Sequence, residues 1–215
     1  MASTPIRQAG SIHPLLVRVT HWLNAFAVIC MIMSGWQIFN ASPLFDFRFP
    51  HWMTLGGWLA GAIAWHFAAM WLLALNGLAY LAYGVLSGHF RRSFLPLTAS
   101  AVAGDLAAAL RFRLPHRIGA YNAVQRLAYV VVILLITAAV LSGLAIWKPV
   151  QFQELTAVLG GYDTARWVHF LAMTGIVGFI VVHLALVLIV PKTVLPMITG
   201  RATGERHAPP AEVRP

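Results

Sequence analysis

The sequence predicts an all-α integral membrane protein, a single-domain four-helix bundle. Two observations carry this. The 215-residue chain is 60% apolar and only 10% charged, with a mean hydropathy of +0.76, far oilier than a soluble domain. Its apolar residues also collect in four long, almost charge-free runs, and a helix needs about 20 such residues to cross the hydrocarbon of a bilayer.

The first run extends from about Thr20 to Phe39. Its apolar part is too long for a secretory signal and no small-residue cleavage site follows, so it is expected to be retained. The one cysteine, Cys30, lies in its middle. A single thiol builds neither a disulfide framework nor a thiolate cluster, and Cys30 reads as a small buried apolar residue. The next segment, 40–58, carries Pro43, Pro50, Gly56-Gly57 and several aromatics. It is expected as an ordered extracytoplasmic loop or short interfacial helix, with Trp52 and Trp58 at headgroup depth.

The second span is expected over 58–86, and the connection that follows is long. After Pro96 it alternates small apolar residues with Asp105, Arg111 and Arg113 before Pro115. That pattern fits an amphipathic helix on the membrane surface, and equally a solvated connector whose arginines only fix topology. The third span is expected over 127–147. A second extracytoplasmic loop, 148–166, holds Glu154, Gly160-Gly161 and Asp163, and the fourth span follows over 168–190. Residues 1–199 thus form one domain, and the Pro-, Arg- and Glu-rich tail 200–215 is expected to be disordered and cytoplasmic.

The formal charge of +9 would suggest nucleic acid in a soluble protein. In a membrane protein the question is which side holds the cations. Arg7, Arg18, Arg91, Arg92, Arg111, Arg113, Arg117, Arg126, Lys192, Arg201, Arg206 and Arg214 fall on the side of the termini and central loop, against Arg48, Lys148 and Arg166 on the other. The positive-inside rule then predicts a multi-pass protein of the bacterial inner membrane with both termini cytoplasmic. Lipid is the expected partner and nucleic acid is not.

Imidazoles inside hydrocarbon are costly unless paired or ligating, so the intramembrane histidines carry the functional argument. They are His21 at the start of the first span, His66 in the second, and His169 and His183 in the fourth. The last two are fourteen residues apart, which on a helix is about 21 Å and just under four turns, so both rings leave one face at two depths. Depth pairs His21 with His183 near the cytoplasm and His66 with His169 near the outside. Two neutral imidazoles on one iron make a six-coordinate, low-spin site suited to relaying electrons, so two b haems between the helices are expected. Gly35 lies fourteen residues after His21 and Gly143 at a similar depth on the third span, in the echo Ser34-Gly35-Trp36 and Ser142-Gly143-Leu144. Each would let a flat ligand approach the backbone, or alternatively let helices pack closely.

The competing reading is that the four histidines only hydrogen-bond between helices. His51, in the outer loop, is an alternative to His66 should the second span start earlier. His13, before Pro14, is a candidate hydrogen-bond donor to a quinone, whereas His89, His116 and His207 read as topology or solvated residues.

Arg18-Val19-Thr20-His21-Trp22, His66-Phe67, and His169 with His183 resemble the four-helix di-haem cytochrome b family. That family includes bacterial cytochrome b561 and the membrane subunits of nickel-iron hydrogenases and thiosulfate reductase, and the resemblance runs from about His13 to Val190. It implies His21, His66, His169 and His183 as axial ligands, Arg18 as a haem-propionate partner, and Tyr121-Asn122, Gln125-Arg126 and Tyr129 as family-like residues near the inner haem. It also implies two haem b, exchange with quinone, and electron transfer between the quinone pool and an extracytoplasmic partner. The longer segment before His66 and the short charged tail depart from the hydrogenase type, so a periplasmic molybdenum-cofactor oxidoreductase and a hydrogenase-type subunit are both open as partners. Two other classes remain: a self-contained cytochrome b561-type quinone oxidoreductase acting on a small substrate such as superoxide, and a non-redox membrane protein with proton-relay histidines.

Overall fold

A computed structural model describes residues 14–88, 97–111, 122–191 and 194–200. Four long helices run through it: α1 (Leu15–Ala41), α2 (Leu59–Leu86), α4 (Ala123–Trp147) and α6 (Tyr162–Ile189). Shorter pieces join them: a 3-10 turn at His51–Met53, α3 (Ala99–Leu110), α5 (Gln153–Val158) and α7 (Val194–Thr199). All four long helices are apolar and long enough to cross a membrane. At 25 to 28 residues each they run roughly 37–42 Å, more than the roughly 30 Å of hydrocarbon.

That excess explains where helices and apolar runs part company. α1 begins at Leu15, α4 at Ala123 and α6 at Tyr162, each several residues before the apolar run expected from sequence, because a helix continues through polar residues into the headgroup layer. His21 consequently sits in the second turn of α1 rather than the first. Arg166 and Asp163, expected in a loop, lie within α6. Arg48, Lys148 and Arg166 all fall at one end of the bundle, called here the loop side. Arg18, Arg111 and Arg126 fall at the other, the termini side; the remaining cations and the tail after Gly200 lie outside the described residues.

The backbones pack closely in two pairs, α1 with α2 and α4 with α6. Small residues make this approach possible: Ala27, Ala62, Ala145 and Ala165 are wholly buried. In lipid, where apolar burial drives little between helices, such close contact is the main source of association. The outer faces stay apolar and exposed, as with Leu75, Leu134 and Leu188. Between the two pairs, side chains meet instead of backbones. Phe39 stacks on Phe170 with ring centroids 5.3 Å apart, and Arg166 donates to the Ser42 carbonyl, tying the start of α6 to the end of α1.

The loop-side segment between α1 and α2 is ordered by its own hydrogen bonds. Asn40 donates to the Phe49 carbonyl at 2.9 Å and accepts from the Phe49 N–H at 2.8 Å. Trp36 stacks on Phe49 at 4.7 Å, and the Leu55 N–H reaches the Met33 carbonyl. Gly56 and Gly57, both at positive φ, turn the chain into α2; a Cβ on Gly56 would lie 2.3 Å from the Ala62 nitrogen, so no larger residue fits there. Trp52 and Trp58 are exposed. On the termini side, α3 docks through Asp105, whose carboxylate accepts the Ala123 N–H at 2.7 Å. Asn122 and Gln125 complete that end of α4 as a capping box, satisfying amides that a helix start leaves orphaned.

Candidate functional site

The bundle brings its four membrane histidines together in two pairs. His21 on α1 faces His183 on α6 with ring centroids 6.2 Å apart, and His66 on α2 faces His169 on α6 at 6.4 Å. All four are half-buried. A metal binds an imidazole nitrogen at about 2.0–2.1 Å, and a ring centre lies about 1.1 Å behind that nitrogen, so two imidazoles on opposite sides of one metal have centroids roughly 6.3 Å apart. Both pairs stand at that spacing. Among the described residues, no three His, Cys, Asp or Glu side chains gather as a metal cage. Two opposed imidazole nitrogens suit a metal whose remaining positions a macrocycle fills, as in haem. The residues present therefore fit haem.

The loop-side pair is oriented by a device that occurs twice. Ser34 donates its hydroxyl proton to the Cys30 carbonyl at 2.5 Å, leaving its oxygen to accept from His66 Nδ1 at 3.0 Å. Met31, one helical turn before Ser34, offers His66 a carbonyl. On α4, Ser142 donates to the Ala138 carbonyl at 2.6 Å and accepts from His169 Nδ1 at 3.2 Å, while the Ala139 carbonyl takes the same ring proton at 2.9 Å. A carbonyl only accepts, so Nδ1 carries the proton and Nε2 keeps its lone pair. A ligand histidine is commonly fixed in this way, with one nitrogen donating to an outer partner and the other turned to the metal. Ser34 and Ser142 are the largest fully buried side chains among the described residues.

The glycines expected from sequence stand beside these serines. A Cβ on Gly35 would lie 3.5 Å from His66 Cε1, and one on Gly143 would lie 3.2 Å from His169 Cε1. What each glycine admits among protein atoms is thus the imidazole of the neighbouring helix. The termini-side pair is built otherwise: Trp22 packs edge-on to His21 at 5.3 Å, and Phe179, one turn before His183, lies parallel to it within 9° at 5.9 Å.

Arg18 gives one guanidinium N–H to the Ile198 carbonyl of α7 at 2.6 Å, while its buried Nε has no partner among the described residues. His51 is exposed on the 3-10 turn, apart from both pairs. Asn122 and Gln125, expected near the inner haem, are engaged in the α4 cap. His13, His89, His116, His207 and Tyr121 lie outside the described residues. Sequence reasoning missed the serines, although the Ser-Gly echo pointed at them, and it missed Phe179.

Residues 12–200 match the family described as prokaryotic cytochrome b561. The chain belongs to that family. It is 52% identical over 195 residues to a protein of Azospira oryzae provisionally named protein-methionine-sulfoxide reductase subunit YedZ1, covering 90% of this chain and 98% of that relative. Family and fold together make it a multi-pass bacterial membrane protein of haem-b electron transfer.

Proposed function

We propose that the chain holds two haem b, one at His21–His183 and one at His66–His169, and carries electrons from the quinone pool to an extracytoplasmic reductase subunit. The observation that carries this reading is the pair of ring separations, 6.2 and 6.4 Å, at two levels of one bundle. Haem bound there supplies a one-electron iron couple. A histidine from each side would hold the haem iron and leave no position open for a substrate, which suits a site that relays electrons. Ser34, Ser142 and the carbonyls behind them hold the loop-side rings in one tautomer, limiting rearrangement on electron transfer.

The charge bias supports a cytoplasmic termini side, which makes the loop side extracytoplasmic. The relative's name supports a protein-methionine-sulfoxide reductase as partner over a hydrogenase; a molybdenum-cofactor oxidoreductase fits that role. Reduction of a sulfoxide to a thioether takes two electrons and two protons and releases water, and an extracytoplasmic partner would take those electrons on the loop side. An open groove of about 470 Å³ between α1 and α7, lined by Leu15, Arg18, Val19, Trp22, Met197 and Ile198, supports quinone exchange on the termini side, because its apolar walls and the Arg18 guanidinium suit a prenylated carbonyl compound. Arg18 is also within a turn of His21, where a haem propionate would lie.

The decisive measurement is a reduced-minus-oxidised spectrum of the purified protein with its haem-to-protein ratio. Paired low-spin ferrous b bands at two haems per chain are expected, with reoxidation on adding the reductase subunit and methionine sulfoxide. A colourless protein sinks the reading.

A further inference from the structure

We infer that Asn76 is a positioning residue for the termini-side imidazole pair, although its helix, α2, supplies no histidine to that pair. The inference rests on the two-haem reading above. Asn76 lies ten residues beyond His66, about 15 Å further along α2, and is only 8% exposed. Its amide nitrogen donates to the Thr20 carbonyl at 2.8 Å and to Asn24 Oδ1 at 2.7 Å. An amide NH2 has two protons, and both go to α1.

Those two acceptors bracket His21. Thr20 precedes it and Asn24 follows within one turn. Thr20 is itself 3% exposed, with its hydroxyl turned back to the Leu16 carbonyl of its own helix at 2.9 Å, so the inter-helix bonds at this stretch of α1 are those from Asn76. α1 carries apolar side chains all around its axis, so an apolar face alone does little to set its rotation. Specific polar bonds then decide it. A rotation of about 10° moves an atom near the helix surface, about 6 Å from the axis, by roughly 1 Å, more than a ligand site tolerates. Asn76 sets the rotation of α1 at the depth where His21 must meet His183.

The test compares Asn76→Leu with the wild-type protein in purified form, reading haem content, the electron-paramagnetic g values of each low-spin haem and their midpoint potentials; His66→Ala and His183→Ala assign the two signals. In Asn76→Leu the termini-side haem is expected to shift in g value and potential and to bind on the order of 10-fold more weakly, the lower range for an outer-shell partner, while the loop-side signal stays. Asn76→Gln, which keeps an amide donor, should move the termini-side signal back toward wild type. Asn24→Ala, which spares the Thr20 bond, should do less than Asn76→Leu. Unchanged signals in Asn76→Leu overturn the inference, as does an equal loss at both sites, which marks plain helix packing. If Asn76→Leu does not accumulate in membranes, Asn76→Ala carries the same comparison. Wild-type protein without haem would instead defeat the two-haem reading, a result distinct from a two-haem protein indifferent to Asn76.

Discussion

The two histidine pairs are built on different plans. On the loop side the plan is duplicated: Ser34-Gly35 of α1 seats His66 of α2, and Ser142-Gly143 of α4 seats His169 of α6. The offset between the serines is 142 − 34 = 108 residues, and between the histidines 169 − 66 = 103. Carried to the termini side, the echo breaks. Adding 108 to His21 gives Tyr129, and adding 103 to Asn76 gives Phe179. One half of the bundle thus secures its termini-side histidine with an amide clamp from a neighbouring helix, the other with an aromatic ring one turn away. Each loop-side ring is oriented within its own closely packed helix pair before the halves meet. The termini-side rings are supported by unlike groups in the two halves, so the halves are expected to respond differently to substitution.

The largest expected effect tests whether the sites are separable at all. His66→Ala should take the haem-to-protein ratio from two to one, removing the loop-side spectrum and sparing the other, and His183→Ala should do the converse. With one imidazole of a pair gone, that site should no longer retain its haem, so the residual spectrum should be that of the untouched pair. If either variant empties both sites, the pairs do not act as independent units and the contrast between them falls.

Much of this was legible in the sequence. Hydrocarbon admits only backbone that satisfies itself, so four apolar runs meant four helices, and the fourteen-residue interval between His169 and His183 placed two imidazoles on one face at two depths. The helix ends were not legible, because Tyr162 to Trp167 and Ala123 to Arg126 are polar enough to look like loop, yet extend the helices into the headgroups. Nor were the roles of Ser34 and Asn76. A serine in a membrane helix usually returns its proton to its own backbone, and both bonds that matter here are made by what remains: a lone pair toward another helix, or an amide reaching across one. Such pairings depend on rotation and register between helices, which periodicity along one helix does not contain. Gly35 and Gly143 were found by their echo, and the protein atoms nearest to a Cβ at either are those of an imidazole on the neighbouring helix.

A middle-sized effect asks whether the duplicated serines work as a matched set. Ser34→Ala and Ser142→Ala each remove one acceptor from a loop-side histidine while leaving a backbone carbonyl beside it. Removal of an outer-shell partner typically costs about 10- to 100-fold in metal affinity; with the carbonyls of Met31 and Ala139 remaining, the lower end is expected. Haem titration of the purified apoprotein, monitored at the loop-side signal, measures it. The two variants should resemble each other and leave the termini side unchanged. Unequal losses would show that the echo in sequence is not an echo in energy.

The smallest effect probes the unmatched half. Phe179 lies parallel to His183 within 9°, and an aromatic pair of this kind contributes about 0.5–1.5 kcal/mol beyond the area it buries. Phe179→Leu keeps an apolar side chain at that turn of α6 and removes only the ring face, so the termini-side haem should weaken by at most about tenfold, the equivalent of about 1.4 kcal/mol. Its g value should shift slightly because the His183 plane is freer to turn. The loop-side signal, whose His169 lies ten residues from Phe179, about 15 Å along α6, should not respond. Combined with Asn76→Leu, the two losses should add if each half of the bundle holds its own ring independently, since one variant loosens α1 and the other α6. A combined loss well short of the sum would mean that a single ring, not both, sets the geometry of that pair, and the termini-side site would then rest on one half of the bundle alone.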